Sequence, residues 1–344
     1  MAGLTGNLNK KHMPAVSVII PVYNVEPYMA RCARSLFGQT LKDIEFLFID
    51  DCSPDRSIAI MREVLEEYPE RKEQVTVYRM PNNSGQAAVR MQGIKLATAE
   101  YLIHCDSDDY IDITTYERMY NKAKSEDLDI VTCNVAVERD GVVTEVVNGE
   151  CTSVARMLQG YEKWNLYCRL TRKDLLEDIF PPIANMGEDM VISVQTQLKA
   201  KSNGHIEAPL YYYCFRFDSI TNEAGNDALL ARWKSLIKNA NLLLDILVKY
   251  YGYSGDEPEI IHYKYRTGRT MIRPLVHIPK YRSLWKETFP EVDKRILFLH
   301  SISLEEKIWF ILIHLRLYYP VKCITGWIRG RHYHQKQMPD QVNQ

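Results

Sequence analysis

The sequence predicts an α/β protein with a mainly parallel sheet flanked by helices and a helical C-terminal region. Over the first 135 residues, short apolar runs alternate with segments in which apolar residues recur every three or four positions, which is typical of βαβ units. The runs VSVII at 16–20 and IEFLFI at 44–49 are apolar on both faces, as in central strands of a parallel sheet. After residue 224 the pattern becomes mostly helical.

Turn-forming residues set the bounds of several elements. Ser53 and Pro54 have the residue types of an N-cap and a first helical position, so they are predicted to begin the second helix. Asp140 and Gly141 mark the turn of a hairpin over 135–148. The predicted strands are 16–20, ended by Pro21, then 44–49, 75–80, 101–105, 129–134 and 206–215. The predicted helices are the stripes Met29 to Phe37 and Met61 to Tyr68, the segments 85–97, 113–125 and 188–198, and the stripe Leu229 to Leu247.

The chain length of 344 residues suggests about two domains. The change of pattern places their boundary near residue 224. The interpretation is a flexible N-terminus at 1–14, an α/β domain at 15–223, a helical region at 224–330 and a tail at 331–344.

The composition excludes several classes of protein. Apolar residues make up 46% and charged residues 25%, which excludes a disordered chain, and the formal net charge of −1 argues against nucleic-acid binding. The eight cysteines form no C-x-x-C pair and are interpreted as reduced thiols of a cytoplasmic protein. No apolar stretch has the length of a signal peptide core behind the N-terminus or of a membrane-spanning helix elsewhere.

Five carboxylates follow predicted strands, and the carboxyl ends of parallel strands are where ligands bind. Asp50 and Asp51 come after the second strand, and Asp106, Asp108 and Asp109 come after the fourth. Crowded carboxylates repel one another unless a cation lies among them, and hard oxygen ligands favour Mg²⁺ or Mn²⁺. The alternative is that such aspartates only cap the helices that follow.

The residues after the first strand narrow the choice of ligand. No G-x-G-x-x-G and no P-loop motif occurs. Enzymes that make sugar nucleotides usually have a glycine-rich cationic loop where this chain has PVYN at 21–24, so that class is disfavoured. Tyr23 can instead stack on a base. For Asp55, further along the chain, helix capping is the favoured role.

Seven segments occur in order along 15–222: VSVIIPVYNVEPYMARCARSLFGQT, FLFIDDCSPDRS, NNSGQAAVRMQGI, AEYLIHCDSDDYID, WNLYCRLTRKDLL, GEDMVIS and PLYYYCFRFDSIT. Together, and in their spacing, they resemble family 2 glycosyltransferases of the GT-A type, a Rossmann-like fold.

The resemblance implies roles for the matching residues. Asp189, preceded by Glu188, falls where the family has its catalytic base. Asp106 and Asp108 match the D-x-D pair that binds Mn²⁺ or Mg²⁺. If 188–198 is a helix, its N-terminus favours the ionised form of Asp189.

The donor site is also implied by the resemblance. Arg90 and Gly93 match a family motif ending A-R-N-x-G, whose asparagine is replaced here by Met91. The residues implied to contact the nucleotide sugar are Pro21, Tyr23, Asn24, Glu26, Asp50, Asp51, Gly85, Arg90, Asp106 and Arg216.

The implied activity is metal-dependent, inverting transfer of a sugar from a nucleoside diphosphate donor, in particular a UDP-sugar, to a saccharide or lipid-linked saccharide during surface polysaccharide biosynthesis. Two alternatives stay open: a nucleotidyltransferase that makes a sugar nucleotide, and a non-catalytic saccharide-binding protein of the same fold.

The C-terminal segment 304–330 has three alternative partners. From Lys307 to Lys336 there are six Lys and Arg residues and no Asp or Glu, and aromatic residues are interspersed. A short helix of this composition suits peripheral contact with the inner, cytoplasmic face of the membrane. It equally suits packing on the catalytic domain or a homodimer interface.

Overall fold

The computed structural model describes residues 13–215, 225–318 and 320–321. Within these ranges the chain forms nine strands and eleven α-helices. The strands are β1 Val16–Val22, β2 Ile44–Asp50, β3 Val75–Arg79, β4 Tyr101–His104, β5 Tyr110–Ile111, β6 Ile130–Arg139, β7 Val142–Val147, β8 Arg169–Arg172 and β9 Asn203–Cys214. The helices are α1 Glu26–Phe37, α2 Ser57–Leu65, α3 Gln86–Leu96, α4 Thr115–Ser125, α5 Val154–Gln159, α6 Glu188–Lys199, α7 Asn226–Tyr251, α8 Pro258–Tyr265, α9 Pro279–Glu287, α10 Val292–Arg295 and α11 Leu304–His314.

The strands of the described residues form one mixed sheet in the order β3-β2-β1-β4-β8-β6-β9-β5, with β7 paired to β6. The neighbours from β3 to β4 are parallel, which confirms the predicted arrangement in this half. β8 is antiparallel to both β4 and β6, so β6 runs in the same direction as β4. The carboxyl ends of β1, β2, β4 and β6 therefore lie toward one edge of the sheet.

The first strand is longer than predicted, so the prediction that Pro21 ends it is wrong. β1 continues to Val22, and Pro21 is in register with Ile49 of β2. The last β1–β4 partners are Ile19 and His104. Pro21 therefore lies beyond β4, at a strand end where a missing N–H group is tolerated.

The second helix begins later than predicted. Its first residue is Ser57 and its N-cap position is Arg56, so Ser53 and Pro54 lie outside it. Asp55 makes the capping contacts, as expected, by accepting hydrogen bonds from the N–H and hydroxyl groups of Ser57. Burial acts to raise the pKa of Asp55, but hydrogen bonds from Ser53 and Ser57 lower it to about 2.

The hairpin is confirmed, while two short strands were not predicted. β6 and β7 pair around Asp140 and Gly141, which have φ angles of 51° and 78°. Both lie in the left-handed region, which Asp tolerates and Gly adopts freely. β5 and β8 have two and four residues, too few to show a pattern of their own.

The helical C-terminal region packs directly on the α/β part. One apolar cluster contains residues of both α6 and α7, so the helix that carries Asp189 is held in place by the C-terminal region. The boundary near 224 stays a prediction. The buried residues that meet in this cluster include Met190, Val191 and Val194 of α6 and Ala240, Leu243 and Leu247 of α7.

The helix α3 lies very close to the sheet. A Cβ atom on Gly93 would be 2.2 Å from the Cγ2 atom of Ile19 in β1, so only glycine permits this approach. At the start of α3, Gly85 has a φ of 82°, and its Cα faces the side chain of Asn185. These contacts fix how closely α3, the helix that carries Arg90, approaches the sheet and where it begins.

Two sequence-based exclusions can be compared with the structure. Seven of the eight cysteines lie in the described ranges and all seven are free thiols, six of them buried; Cys323 lies outside those ranges. Among the residues described, no helix combines the length and the apolar character that crossing a membrane requires.

Candidate active site

The two carboxylates at the end of β2 are fully engaged. Asp51 accepts hydrogen bonds from the backbone N–H groups of Ser84 (2.7 Å) and Gly85 (2.8 Å), which ties β2 to the start of α3. Asp50 is 2% exposed and accepts from the Ser53 N–H at 2.7 Å and from Arg79 Nη1 at 2.6 Å. Arg79 was not predicted, although it is the residue in register with Asp50 on β3.

The loop after β1 lies against both neighbouring strand-end loops. The Asn24 N–H donates to Ser53 Oγ at 2.9 Å, and Glu26 accepts from the Arg56 N–H at 2.9 Å. The Pro21 carbonyl accepts from Ser107 Oγ at 2.6 Å, which joins the end of β1 to the turn after β4. Tyr23 in this loop is 47% exposed. Its ring is therefore accessible to a ligand at this edge.

A buried arginine joins the turn after β4 to the start of α6. Arg90 on α3 is 3% exposed. Its Nη2 donates to Asp106 Oδ1 at 2.9 Å and its Nε donates to Glu188 Oε1 at 3.3 Å. Its buried Nη1 has no hydrogen-bond partner within the part of the chain that the structure describes. Three elements that are far apart in the sequence thus meet at one guanidinium group.

This cluster contains three carboxyl groups and a single arginine. Burial alone would lower the pKa of Arg90, but the carboxylates of Asp106, Glu188 and Asp189 raise it. Burial, and then the charge of Glu188, raise the pKa of Asp189 to about 8, against the opposing effect of Arg90. Burial likewise raises the pKa of Glu188. The helix N-terminus was expected to favour the ionised form of Asp189, but burial and a second carboxylate have larger effects on its pKa.

The fifth carboxylate, Asp109, has a structural role. It is 1% exposed and accepts hydrogen bonds from the Tyr211 hydroxyl at 2.6 Å and the Cys214 N–H at 2.8 Å. Burial, and then Asp108 and Asp106, raise the pKa of Asp109 well above its usual value. Asp109 thus fastens the turn after β4 to β9, a pairing that no local pattern in the sequence indicates.

The two D-x-D carboxylates are both partly exposed, and Asp106 uses its Oδ1 atom for Arg90. Among the described residues, no group of three or more His, Cys, Asp or Glu side chains is arranged to hold a metal ion. A cation at this turn would therefore have no third carboxylate, histidine or cysteine ligand among the described residues. Arg216, also predicted at the donor site, lies outside the described residues.

The order of these elements agrees with a known family. Residues 17–185 match the family model described as glycosyl transferase family 2. This part of the chain belongs to that family. The matched segment 17–185 contains most of β1, Asp50 and the D-x-D pair. Glu188 and Asp189 lie just after the end of this segment.

Curated relatives of the family 2 segment are bacterial. It is 40% identical over 121 residues to the uncharacterized glycosyltransferase EpsJ of Bacillus subtilis, covering 35% of this chain and 34% of EpsJ. This chain is 31% identical over 210 residues to poly(ribitol-phosphate) beta-glucosyltransferase of Bacillus spizizenii, covering 59% of this chain and 32% of that protein. The matches thus span about a third of each of these relatives.

Two solved structures share the GT-A fold with this chain. The crystal structure of S. aureus TarS 1–349 in complex with UDP-GlcNAc aligns with a TM-score of 0.54 at 19% identity, over 81% of this chain and 90% of that chain. The mannosyltransferase PcManGT from Pyrobaculum calidifontis, in complex with GDP-Man and Mn²⁺, aligns with a TM-score of 0.50 at 15% identity, over 92% and 84% of the two chains. The predicted fold class is therefore confirmed.

Proposed function

We propose that the protein is a metal-dependent, inverting glycosyltransferase that moves a sugar from a UDP-sugar to a hydroxyl group of a saccharide or lipid-linked saccharide. The observation that carries this proposal is the cluster in which Arg90 joins Asp106 to Glu188, beside Asp189. Family membership supports the reaction class. The relative named poly(ribitol-phosphate) beta-glucosyltransferase supports a polymer with hydroxyl groups as acceptor, and the UDP-GlcNAc complex of TarS supports a UDP donor.

The donor base would bind between Tyr23 and Asp50. The exposed ring of Tyr23 offers a stacking surface, and Asp50 offers an acceptor for an N–H group of the base. Asp50 is engaged with Arg79, whose side chain is 61% exposed. An exposed guanidinium group is exchanged at low cost, so a base can take its place beside Asp50.

The carboxylates fit a divalent cation. Asp106 and Asp108 supply hard oxygen donors, and two protein ligands suit Mg²⁺ or Mn²⁺, which take the remaining positions from water and substrate phosphates. Three carboxylates around one guanidinium group also leave an excess of negative charge. When bound, the cation would offset the charge that develops on the leaving diphosphate.

Asp189 would act as the base. It takes the proton of the acceptor hydroxyl group while that oxygen forms a bond to the anomeric carbon, and the bond from this carbon to the diphosphate breaks with its electron pair. A raised pKa makes the ionised carboxylate a stronger proton acceptor. Because no carboxylate attacks the sugar, the configuration inverts. Arg90 and Glu188 hold the base beside the D-x-D turn.

The test is release of UDP from a panel of UDP-sugars with MnCl₂, with and without candidate acceptors. We expect Asp189→Asn to lower turnover by about 10²–10⁴-fold, as for loss of a general base. Asp227→Asn is the matched control, because Asp227 also lies in the first turn of a helix but outside the cluster. Undiminished turnover in Asp189→Asn, or release of pyrophosphate from nucleoside triphosphate and sugar phosphate, contradicts the proposal.

We further propose that α11 places the enzyme on an anionic membrane surface. Its buried residues Phe310 and Ile313 pack in the helical core, while another side of the helix exposes an apolar stripe. The cationic residues between 307 and 336 make this end of the chain attractive to acidic lipids. The exposed stripe consists of Leu304, Ile308, Ile311 and Leu315.

Sedimentation with vesicles tests this contact. We expect the protein to bind phosphatidylglycerol vesicles more strongly than phosphatidylcholine vesicles, and Leu304→Glu with Ile308→Glu to abolish binding. Val142→Glu is the control, because Val142 is 64% exposed on the hairpin, away from α11. Unchanged sedimentation of the double variant, or a dimer that the double variant converts to a monomer, contradicts membrane docking.

A further inference from the structure

A cleft lies between the β6–β7 hairpin and the segment 163–168, outside the carboxylate cluster. Its volume is about 360 Å³. This is at the lower end of the range typical of small-ligand sites, about 300–1,000 Å³. One part of its lining is apolar and comes from valines of β6 and β7, and the rest is aromatic or polar. The aromatic and polar residues are Tyr167, Tyr213, Glu145, Asn148, Lys163 and Asn165.

The cleft shares a tyrosine stack with the D-x-D turn. The ring of Tyr167 stacks on the ring of Tyr211, with centroids 4.3 Å apart and an angle of 16° between the planes. The Tyr211 hydroxyl accepts a hydrogen bond from the Asp106 N–H at 3.2 Å and donates to Asp109. Tyr167 therefore lines the cleft, while Tyr211, on which it stacks, supports the turn that carries Asp106.

The same segment is attached to the helix of the proposed base. Ser193 Oγ donates a hydrogen bond to the Trp164 carbonyl at 2.6 Å, and Ser193 lies one helical turn after Asp189. Cys168 also bonds to β6 through its carbonyl, which accepts from the Cys133 N–H at 3.1 Å. Since β6 runs in the same direction as β4, its C-terminal half, which lines the cleft, extends toward the edge of the sheet where Asp106 lies.

The chemistry of the lining suits a sugar ring. A pyranose has an apolar C–H face that packs on an aromatic ring, and hydroxyl groups at its rim that exchange hydrogen bonds with amide, carboxylate and ammonium groups. Tyr167 and Tyr213 are partly exposed and stack with an angle of 17° between their planes. The side-chain carbonyl of Asn148 accepts a hydrogen bond from the Glu150 N–H, which leaves the side-chain NH₂ group for a ligand.

We propose that this cleft is the acceptor subsite and binds a neutral pyranose ring of the saccharide that receives the donor sugar. The inference rests on the proposed function, because it assigns the second substrate of the same reaction. The opposite charges of Lys163 and Glu145 favour a neutral ring over an acidic or basic one.

The test measures binding of methyl glycosides of glucose, galactose and N-acetylglucosamine by saturation-transfer NMR. We expect at least one glycoside to bind the wild type, and Tyr213→Leu to weaken its binding about fivefold because the stacking surface is lost. Tyr213→Phe keeps the ring and retains binding. Tyr250→Leu is the control, since Tyr250 is an exposed tyrosine on α7. Lys163→Ala, at an exposed position, is the second variant if Tyr213→Leu does not fold.

The outcomes separate the subsite from the reaction. In the UDP-release assay, Tyr213→Leu lowers the ratio of glycoside-stimulated to unstimulated turnover about fivefold, whereas general damage lowers both rates equally. Absence of glycoside binding in the wild type, or equal binding in the wild type and Tyr213→Leu, overturns the subsite. Glycoside binding that depends on Tyr213, without turnover of any sugar nucleotide, supports the subsite and contradicts the proposed transferase.

Discussion

The carboxylates at the end of β2 and those around Arg90 differ in how fully hydrogen-bond donors compensate their charge. All four oxygens of Asp50 and Asp51 accept a hydrogen bond, three of them from backbone N–H groups. Around Arg90, by contrast, three carboxylates share one guanidinium group, and the pKa of Asp189 rises to about 8. The first pair holds the loops in place, and only the Asp50 oxygen that faces Arg79 is proposed to contact a ligand. The second group retains charge that a cation or a moving proton can neutralise, which is where we place the chemistry.

The sharpest test of this comparison removes the arginine from each group. Arg90→Met leaves buried carboxylates without their cation, so we expect the free energy of unfolding to fall by about 3–5 kcal/mol. Arg79→Met is the matched variant. Because Arg79 is exposed and Asp50 keeps the Ser53 N–H, we expect a loss of about 1–3 kcal/mol. Urea unfolding measures both, and equal losses contradict the distinction.

A pH-dependent effect follows from the raised pKa of Asp189. Its pKa in the folded protein, about 8, lies above the ordinary value near 4 of the unfolded chain, so the folded state binds more protons between these values. Stability should therefore decrease as pH rises from about 4 to 8. Urea unfolding in EDTA should show a steeper decrease for wild type than for Asp189→Asn. Parallel curves would exclude a raised pKa.

Asp51→Asn tests the scaffold pair alone. The asparagine NH₂ group cannot accept from the second N–H group, so one of the Ser84 and Gly85 donors loses its partner, at a cost of about 1–3 kcal/mol. Asp140→Asn is the control, because an asparagine tolerates the left-handed conformation of this exposed turn. Thermal unfolding compares the two, and a cost for Asp51→Asn no larger than that of the control contradicts the scaffold role.

The smallest effect is expected at Asp55, the cap of α2. Asp55→Ala should cost about 1 kcal/mol at neutral pH. Because the pKa of Asp55 is lowered to about 2, its contribution is present above the unfolded value near 4 and is lost as pH falls toward 2. The difference in thermal midpoint between wild type and Asp55→Ala should therefore shrink between pH 6 and pH 2. A constant difference would show that the ionised form is not what caps the helix.

Local patterns in the sequence were sufficient for most of the fold. The stripe from Met29 to Phe37 and the helix at Glu188 were predicted and are confirmed, because burial of one helix face shows in the spacing of apolar residues. Pairings between distant residues were not predicted. Asp109 binds Tyr211, and Asp50 binds Arg79, because strands separated by many residues lie side by side.

The sign of the pKa shift at Asp189 could not be predicted for the same reason. The helix N-terminus is local and visible in the sequence, whereas burial and the charge of Glu188 beside Arg90 arise only when α3 and α6 meet. The roles of the individual site residues stay proposals that the variants above can test.

Because it has no side chain, Gly93 sets the distance between α3 and Ile19 of β1. Any larger side chain would lift α3 off β1, and Arg90, one turn earlier on the same helix, would be displaced outward with it. The reach of the guanidinium group toward Asp106 thus depends on a residue without a side chain. Gly93→Ala would therefore lower the proposed activity through misalignment, with all polar site residues intact.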